Sequence, residues 1–142
     1  TRFAAEFLGE GVKLLASTLR RDAGRGGVEM FGTATFRDRA GLVLQVAYGF
    51  DTHYQCRWEF LGSLGRLVVE RGFTPPPSLT PTVRIERAGG VDTLQLPADD
   101  HYKNMCAHFV ATAFDERPYD REWALLERQA ELLQQLRDEA EA

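Results

Sequence analysis

At 142 residues the chain is long enough to bury a sizeable core, and its 44% apolar and 27% charged side chains are ordinary for a globular domain. A formal net charge of −4 argues against a nucleic-acid surface. No apolar run nears the roughly 20 residues that span a bilayer, and the first residues lack the pattern of a signal peptide.

Thr1 to Leu8 reads as the last turns of a helix, with Phe3, Phe7 and Leu8 on one side, no N-cap at its start and Gly9 as its stop. Val12 to Leu19 is a strand candidate, closed by the glycine-rich turn that follows it. Val28 to Arg37 alternates, with Met30, Ala34 and Phe36 in one row and Phe31, Thr33 and Thr35 in the other. Leu42 to Phe50 places Leu42, Leu44, Val46, Tyr48 and Phe50 on one face, and Asp38 to Gly41 makes the hairpin turn between these two strands. Tyr54 to Leu61 and Gly65 to Glu70 form the next hairpin, and Thr82 to Glu86 and Val91 to Leu96 a third.

Asp99 or Asp100 then caps a helix from His101 to Phe114, whose apolar stripe is Tyr102, Met105, Cys106, Phe109 and Ala113. Pro118 opens a final helix through Glu139, with Trp123, Leu126, Ala130 and Leu133 as its stripe and Leu125, Leu132 and Leu136 broadening it. Hairpins followed by helices predict an α+β fold: a largely antiparallel open sheet of about six or seven strands with helices covering one face. No repeat and no linker interrupts the chain, so residues 1–142 read as one domain.

A mixed set, Thr33, Thr35, Gln45, Arg57 and Glu59 amid Phe31, is too rich for plain solvent surface. It suits a pocket wall or a sheet-on-sheet contact between two copies. The densest polar cluster runs from Gly49 to Arg57. Tyr48, His53, Tyr54 and Glu59 are candidates for acid–base work, and Arg57 for holding an anionic group such as a diphosphate. Gln45, Phe73 and Thr74 are further substrate-binding candidates, the last two opening a stiff Pro75-Pro76-Pro77 loop that is either a simple strand connector or a preorganised pocket lip.

Other motifs carry no chemistry. Gly62-Ser63-Leu64-Gly65 has the wrong spacing and context for a nucleophile elbow and reads as a hairpin turn. His101 and His108 lie two helical turns apart, too far to share a metal ion. No Gly-x-Gly-x-x-Gly follows a strand, so no cofactor site is expected in this chain by itself. Cys56 and Cys106, each among apolar neighbours, read as small buried hydrophobes, which fits a reducing cytoplasm.

The run from Tyr48 to Pro77, and within it Glu59-Phe60-Leu61-Gly62-Ser63-Leu64-Gly65-Arg66-Leu67, resembles the C-terminal domain of the Gfo/Idh/MocA oxidoreductases. The nearest likeness is to the branch that reduces nucleotide-linked keto-sugars, and it covers most of the chain. The resemblance implies a substrate-binding and dimerisation domain, homodimeric through its sheet face, with a sugar-like ligand. It also implies NAD(P) held by a Rossmann domain preceding it, without which no hydride is transferred. The family's catalytic lysine lies in that absent domain, so no catalytic residue is carried over. The first residue, Thr1, and the uncapped first helix favour an excised domain. The stated length favours the alternative: a standalone domain used as a cofactor-independent isomerase or cyclase in natural-product biosynthesis, or a non-catalytic dimeric scaffold.

Overall fold

The structure, a computed structural model, describes residues 1–73, 75–114 and 119–141. Its elements are α1 (Arg2–Phe7), β1 (Lys13–Asp22), a short 3-10 turn (Ala23–Arg25), β2 (Val28–Arg37), β3 (Val43–Gly49), β4 (Trp58–Gly62), β5 (Gly65–Val69), β6 (Thr82–Arg87), β7 (Gly90–Gln95), α2 (His101–Phe114) and α3 (Asp120–Glu141). The α+β class, antiparallel pairing and the hairpins are as expected. Hydrogen bonding divides the strands into two sheets, β1-β2-β3 and β4-β5-β6-β7. The chain forms two compact units, one of Thr1–Thr52 with Pro118–Ala142 and one of His53–Arg117.

The first sheet ends with β3, and the strand expected from Tyr54 begins only at Trp58. Trp58 opposite Val69 is the last rung of its ladder. Beyond it Arg71 adopts a left-handed φ of 57°, which turns its chain out of register and leaves residues 53–57 without a strand partner.

In the first unit β2 supplies the core. Its alternation buries Met30, Ala34 and Phe36, and Ala34 and Phe36 pack with Ala4, Ala5 and Leu8 of the α1 segment and Leu132 and Leu136 of α3. Leu44 and Val46 of β3 join them, whereas Leu42 is exposed. The period expected for α3 is correct and its phase is not. Leu125, Leu132 and Leu136 face the sheet, while Trp123 and Leu126 are exposed.

Two polar devices close this unit. The Asp38 carboxylate, 4% exposed, accepts hydrogen bonds from the Gly9 N–H and the Leu42 N–H, both at 2.9 Å. Arg128 of α3 donates to the Leu8 carbonyl at 3.0 Å and to the Gly9 carbonyl, satisfying groups that the end of α1 leaves open. Gly9 is therefore not a left-handed stop: α1 ends at Leu8 in extended geometry. What Gly9 supplies is room, since a Cβ there would lie 3.1 Å from the Asp38 Oδ2.

The second unit is a four-stranded meander with two unlike faces. Trp58, Phe60, Leu67, Val69, Val83 and Ile85 share one row, and Glu59, Arg66, Val68, Arg84 and Glu86 the other. The β4–β5 hairpin turns on Ser63 and Leu64, with Leu64 exposed at the tip. Gly65 is required there by a φ of 154° and because a Cβ would lie 2.1 Å from the Glu86 carbonyl oxygen. Asp100 caps α2 by accepting the Lys103 N–H at 3.0 Å. No residue of α2 is buried, so the stripe expected to be core, Cys106 included, is exposed. The expected opening of α3 at Pro118 lies outside the described residues.

The hydrogen bonds from Gly9 and then Leu42 hold the Asp38 carboxyl below its ordinary value of 3.8, against the opposing effect of burial. A depressed carboxyl stabilises the fold above its unfolded value and loses that contribution as the pH falls through the folded value. Asp38→Asn, which keeps one acceptor oxygen and loses the charge, is expected to melt below the wild type at neutral pH. The gap should close as the pH falls toward about 2. Melting curves across that range decide it, because a gap independent of pH would show that the charge is not what counts.

Candidate functional site

The second unit contains a hollow of about 350 Å³ lined by residues 53–57 together with Glu70 and Arg71. That volume lies within the range of small-ligand sites. Residues 53–57 lie outside the β4–β5 ladder, and Cys56 among them is tied to Gly72 and Phe73. The Gly72 N–H donates to the Cys56 carbonyl at 2.7 Å. The Cys56 thiol lies 2.8 Å from the Phe73 carbonyl and accepts the Phe73 N–H at 3.2 Å. Cys56 is thus half-buried and hydrogen-bonded rather than an inert core residue. The Arg71 guanidinium sits 5.2 Å from the centre of the Tyr54 ring, a cation over an aromatic face. Held in the left-handed region, Arg71 marks a strained position of the kind found at ligand sites.

Arg57 links the hollow to the charged row of the sheet. It donates to Glu59, whose other oxygen accepts from Arg66 at 3.1 Å. Arg66 also donates to Glu86 at 2.9 Å, and Glu86 accepts from Arg84 at 2.9 Å. The hydrogen bond from Arg57, then that from Arg66, holds Glu59 below the usual carboxylate range. Arg66 and then Arg84 do the same to Glu86, and Arg66 itself is pushed up by Glu86 and then Glu59. Glu59 therefore stands as a fixed anion within a ladder of five charges.

Of the candidates read from sequence, His53, Tyr54 and Arg57 meet in the hollow, and Glu59 adjoins it through Arg57. Phe73 is not among the residues that line it, and its ring lies 6.2 Å from that of Trp58. Thr74 lies outside the described residues. Tyr48 and Gln45 belong to the first unit. The Tyr48 ring lies across Gly32, where a Cβ would come within 2.5 Å of it, and its hydroxyl is 3.4 Å from Glu29. Burial and then Glu29 push its hydroxyl up. Gln45 pairs with Thr35 on the outward face of the three-stranded sheet. The mixed set expected on one face is thus split between two sheets. Arg66, Arg84, Glu86 and Arg71 escaped the sequence reading. Arg84 and Glu86 leave a signal, because they, like Arg57 and Glu59, are spaced two apart on a strand pattern.

Among the described residues no group of three or more His, Cys, Asp or Glu side chains is placed to hold a metal ion, and no helix is long and apolar enough to cross a membrane. The connection from β7 into α2 carries Asp99 and Asp100 at the helix start, which repel a phosphate. The start of α2 therefore does not suit the pyrophosphate of a dinucleotide.

No protein-family model matches the chain. It is similar to two proteins named dTDP-3,4-didehydro-2,6-dideoxy-alpha-D-glucose 3-reductase. That of Saccharopolyspora spinosa is 40% identical over 89 residues, covering 63% of this chain and 27% of the relative. That of Actinomadura kijaniata is 36% identical over 124 residues, covering 87% of this chain and 36% of the relative. The structure also matches KijD10, a 3-ketoreductase from Actinomadura kijaniata in complex with TDP-benzene and NADP. The TM-score is 0.86 at 36% identity, over 97% of this chain and 43% of that one. The chain thus spans less than half the length of these relatives and resembles a partial domain of an NAD(P)-dependent keto-sugar reductase.

Gly72 leaves no room for a side chain, because a Cβ there would lie 1.3 Å from the Trp58 Nε1. Gly72→Ala is expected to displace the Trp58 ring, cost about 1–3 kcal/mol of stability and change the tryptophan emission. Denaturant unfolding followed by fluorescence tests this, and an unchanged midpoint would refute the tight seat.

Proposed function

We propose that the chain is the substrate-side portion of a nucleotide-linked keto-sugar 3-reductase of the Gfo/Idh/MocA type, acting in natural-product biosynthesis in the cytoplasm. The observation that carries this reading is the match over 97% of the chain to KijD10 at 36% identity. In this role Arg57 and Arg71 take the diphosphate of a dTDP-sugar, which suits their charge and the fork geometry of a guanidinium. The Tyr54 ring and His53 offer stacking and hydrogen-bonding groups to the rest of the ligand. NADP supplies the hydride in this reading, and the part of the reductase beyond this portion holds it.

A chimera in which this chain replaces the matching part of KijD10 is expected to reduce a dTDP-3-keto-sugar with NADPH. In that chimera Arg57→Ala should raise KM at least about tenfold, the loss expected for a charged contact to a diphosphate. A folded chimera without turnover would overturn the proposal, and an unchanged KM would remove Arg57 from the binding site.

The same reading carries a homodimer through a sheet face. The outward face of the three-stranded sheet offers Thr18, Thr33, Thr35, Val43, Gln45 and Ala47, with Val43 57% exposed. Small and β-branched groups of this kind suit isologous sheet-on-sheet packing. Light scattering at high micromolar concentration should give twice the chain mass, and Thr35→Arg, which sets like charges face to face, should halve it. A monomeric wild type would end this part of the proposal.

A further inference from the structure

Resting on the proposed role of the hollow as a diphosphate site, we infer that Glu59 is a positioning residue that aims Arg57 at the ligand. The geometry points to this by what each Glu59 oxygen does. Oε2 accepts from Arg57 and Oε1 accepts from Arg66, so the carboxylate cannot rotate without breaking one contact. Arg66 in turn is held by Glu86, and Glu86 by Arg84. These residues stand on three adjacent strands, β4, β5 and β6, so the sheet register fixes the ladder. Arg57 precedes β4 and is the one member of the ladder that lines the hollow.

An arginine side chain has many rotamers, and freezing them when a ligand arrives weakens binding. Glu59 takes one of the five N–H donors of Arg57 and leaves the other four without a protein acceptor among the described residues. The side chain is thus anchored without being used up. Arg66 holds the second oxygen of Glu59 at 3.1 Å, so the carboxylate stays oriented toward Arg57.

Two explanations make opposite predictions for Glu59→Gln. If Glu59 acted only as a nearby negative charge, its removal would strengthen binding of a diphosphate, by about twofold for screened charges several ångströms apart. If it positions Arg57, its removal weakens binding, although an unfavourable charge has gone.

The test is titration of the full chain with thymidine diphosphate, in wild type, Glu59→Gln, Arg57→Ala and the double variant, with melting curves confirming that each is folded. The expected result is a five- to tenfold loss in Glu59→Gln that vanishes in the Arg57→Ala background. Glu59→Asp, one methylene shorter and unable to span both guanidinium groups, should lose a similar factor and serves if Glu59→Gln does not fold. Binding of Glu59→Gln equal to or tighter than wild type overturns the inference and leaves the site reading standing. An equal loss in both backgrounds also overturns it, because Glu59 then acts without Arg57. No binding by the wild type, or none of it lost in Arg57→Ala, sinks the site reading itself and the inference with it.

Discussion

A single carboxylate, Asp38, sets the geometry of the three-stranded unit. It is buried and held by backbone N–H groups from two directions, Gly9 on the exit of α1 and Leu42 across the β2–β3 turn. That fixes where α1 leaves and therefore where Ala4, Ala5 and Leu8 meet Phe36. A charge out of water is stable only when hydrogen bonds replace its hydration, and amide dipoles do so here. Arg128 reads the same junction from the other side, through the carbonyls of Leu8 and Gly9. Donors and acceptors of one backbone turn are thus shared between a hairpin and the last helix.

Much of this was legible in the sequence, and the reasons are local. Period-two alternation in Val28–Arg37 identified the core row because β2 is paired on both sides. Glycines and turn residues placed the hairpins. The phase of α3 was not legible: its apolar residues surround more than one face, and only the position of Phe36 and Ala34 selects Leu132 and Leu136 over Trp123 and Leu126. The break before Trp58 was hidden for a similar reason. Tyr54 to Arg57 has strand-like composition, and what removes its partner is the backbone of Arg71, more than ten residues away.

The candidate site shows the same division. The cluster of His53, Tyr54 and Arg57 stood out as a dense polar run, and the hollow brings these three together. The ladder behind Arg57 depends on register, which places Arg66 opposite Glu86 and on the same row as Glu59. Tyr48, close in sequence, belongs instead to the helix-covered side of the other sheet, over Gly32. Nearness along the chain was a poor guide across a point where the chain passes from one unit to the next.

The division of the chain into a split unit and an inserted one also orders its assembly. Every strand pair of the β4–β7 meander joins neighbours in sequence, so each hairpin forms as soon as its second strand exists. The three-stranded unit must wait, because Leu132 and Leu136 arrive about a hundred residues after the strand they cover. On a ribosome its sheet emerges before the meander and is finished after it, with Phe36 lacking its α3 cover while the meander is made. The exposed interval falls on the strand that holds the core together, and it is there that a holdase chaperone would find its target.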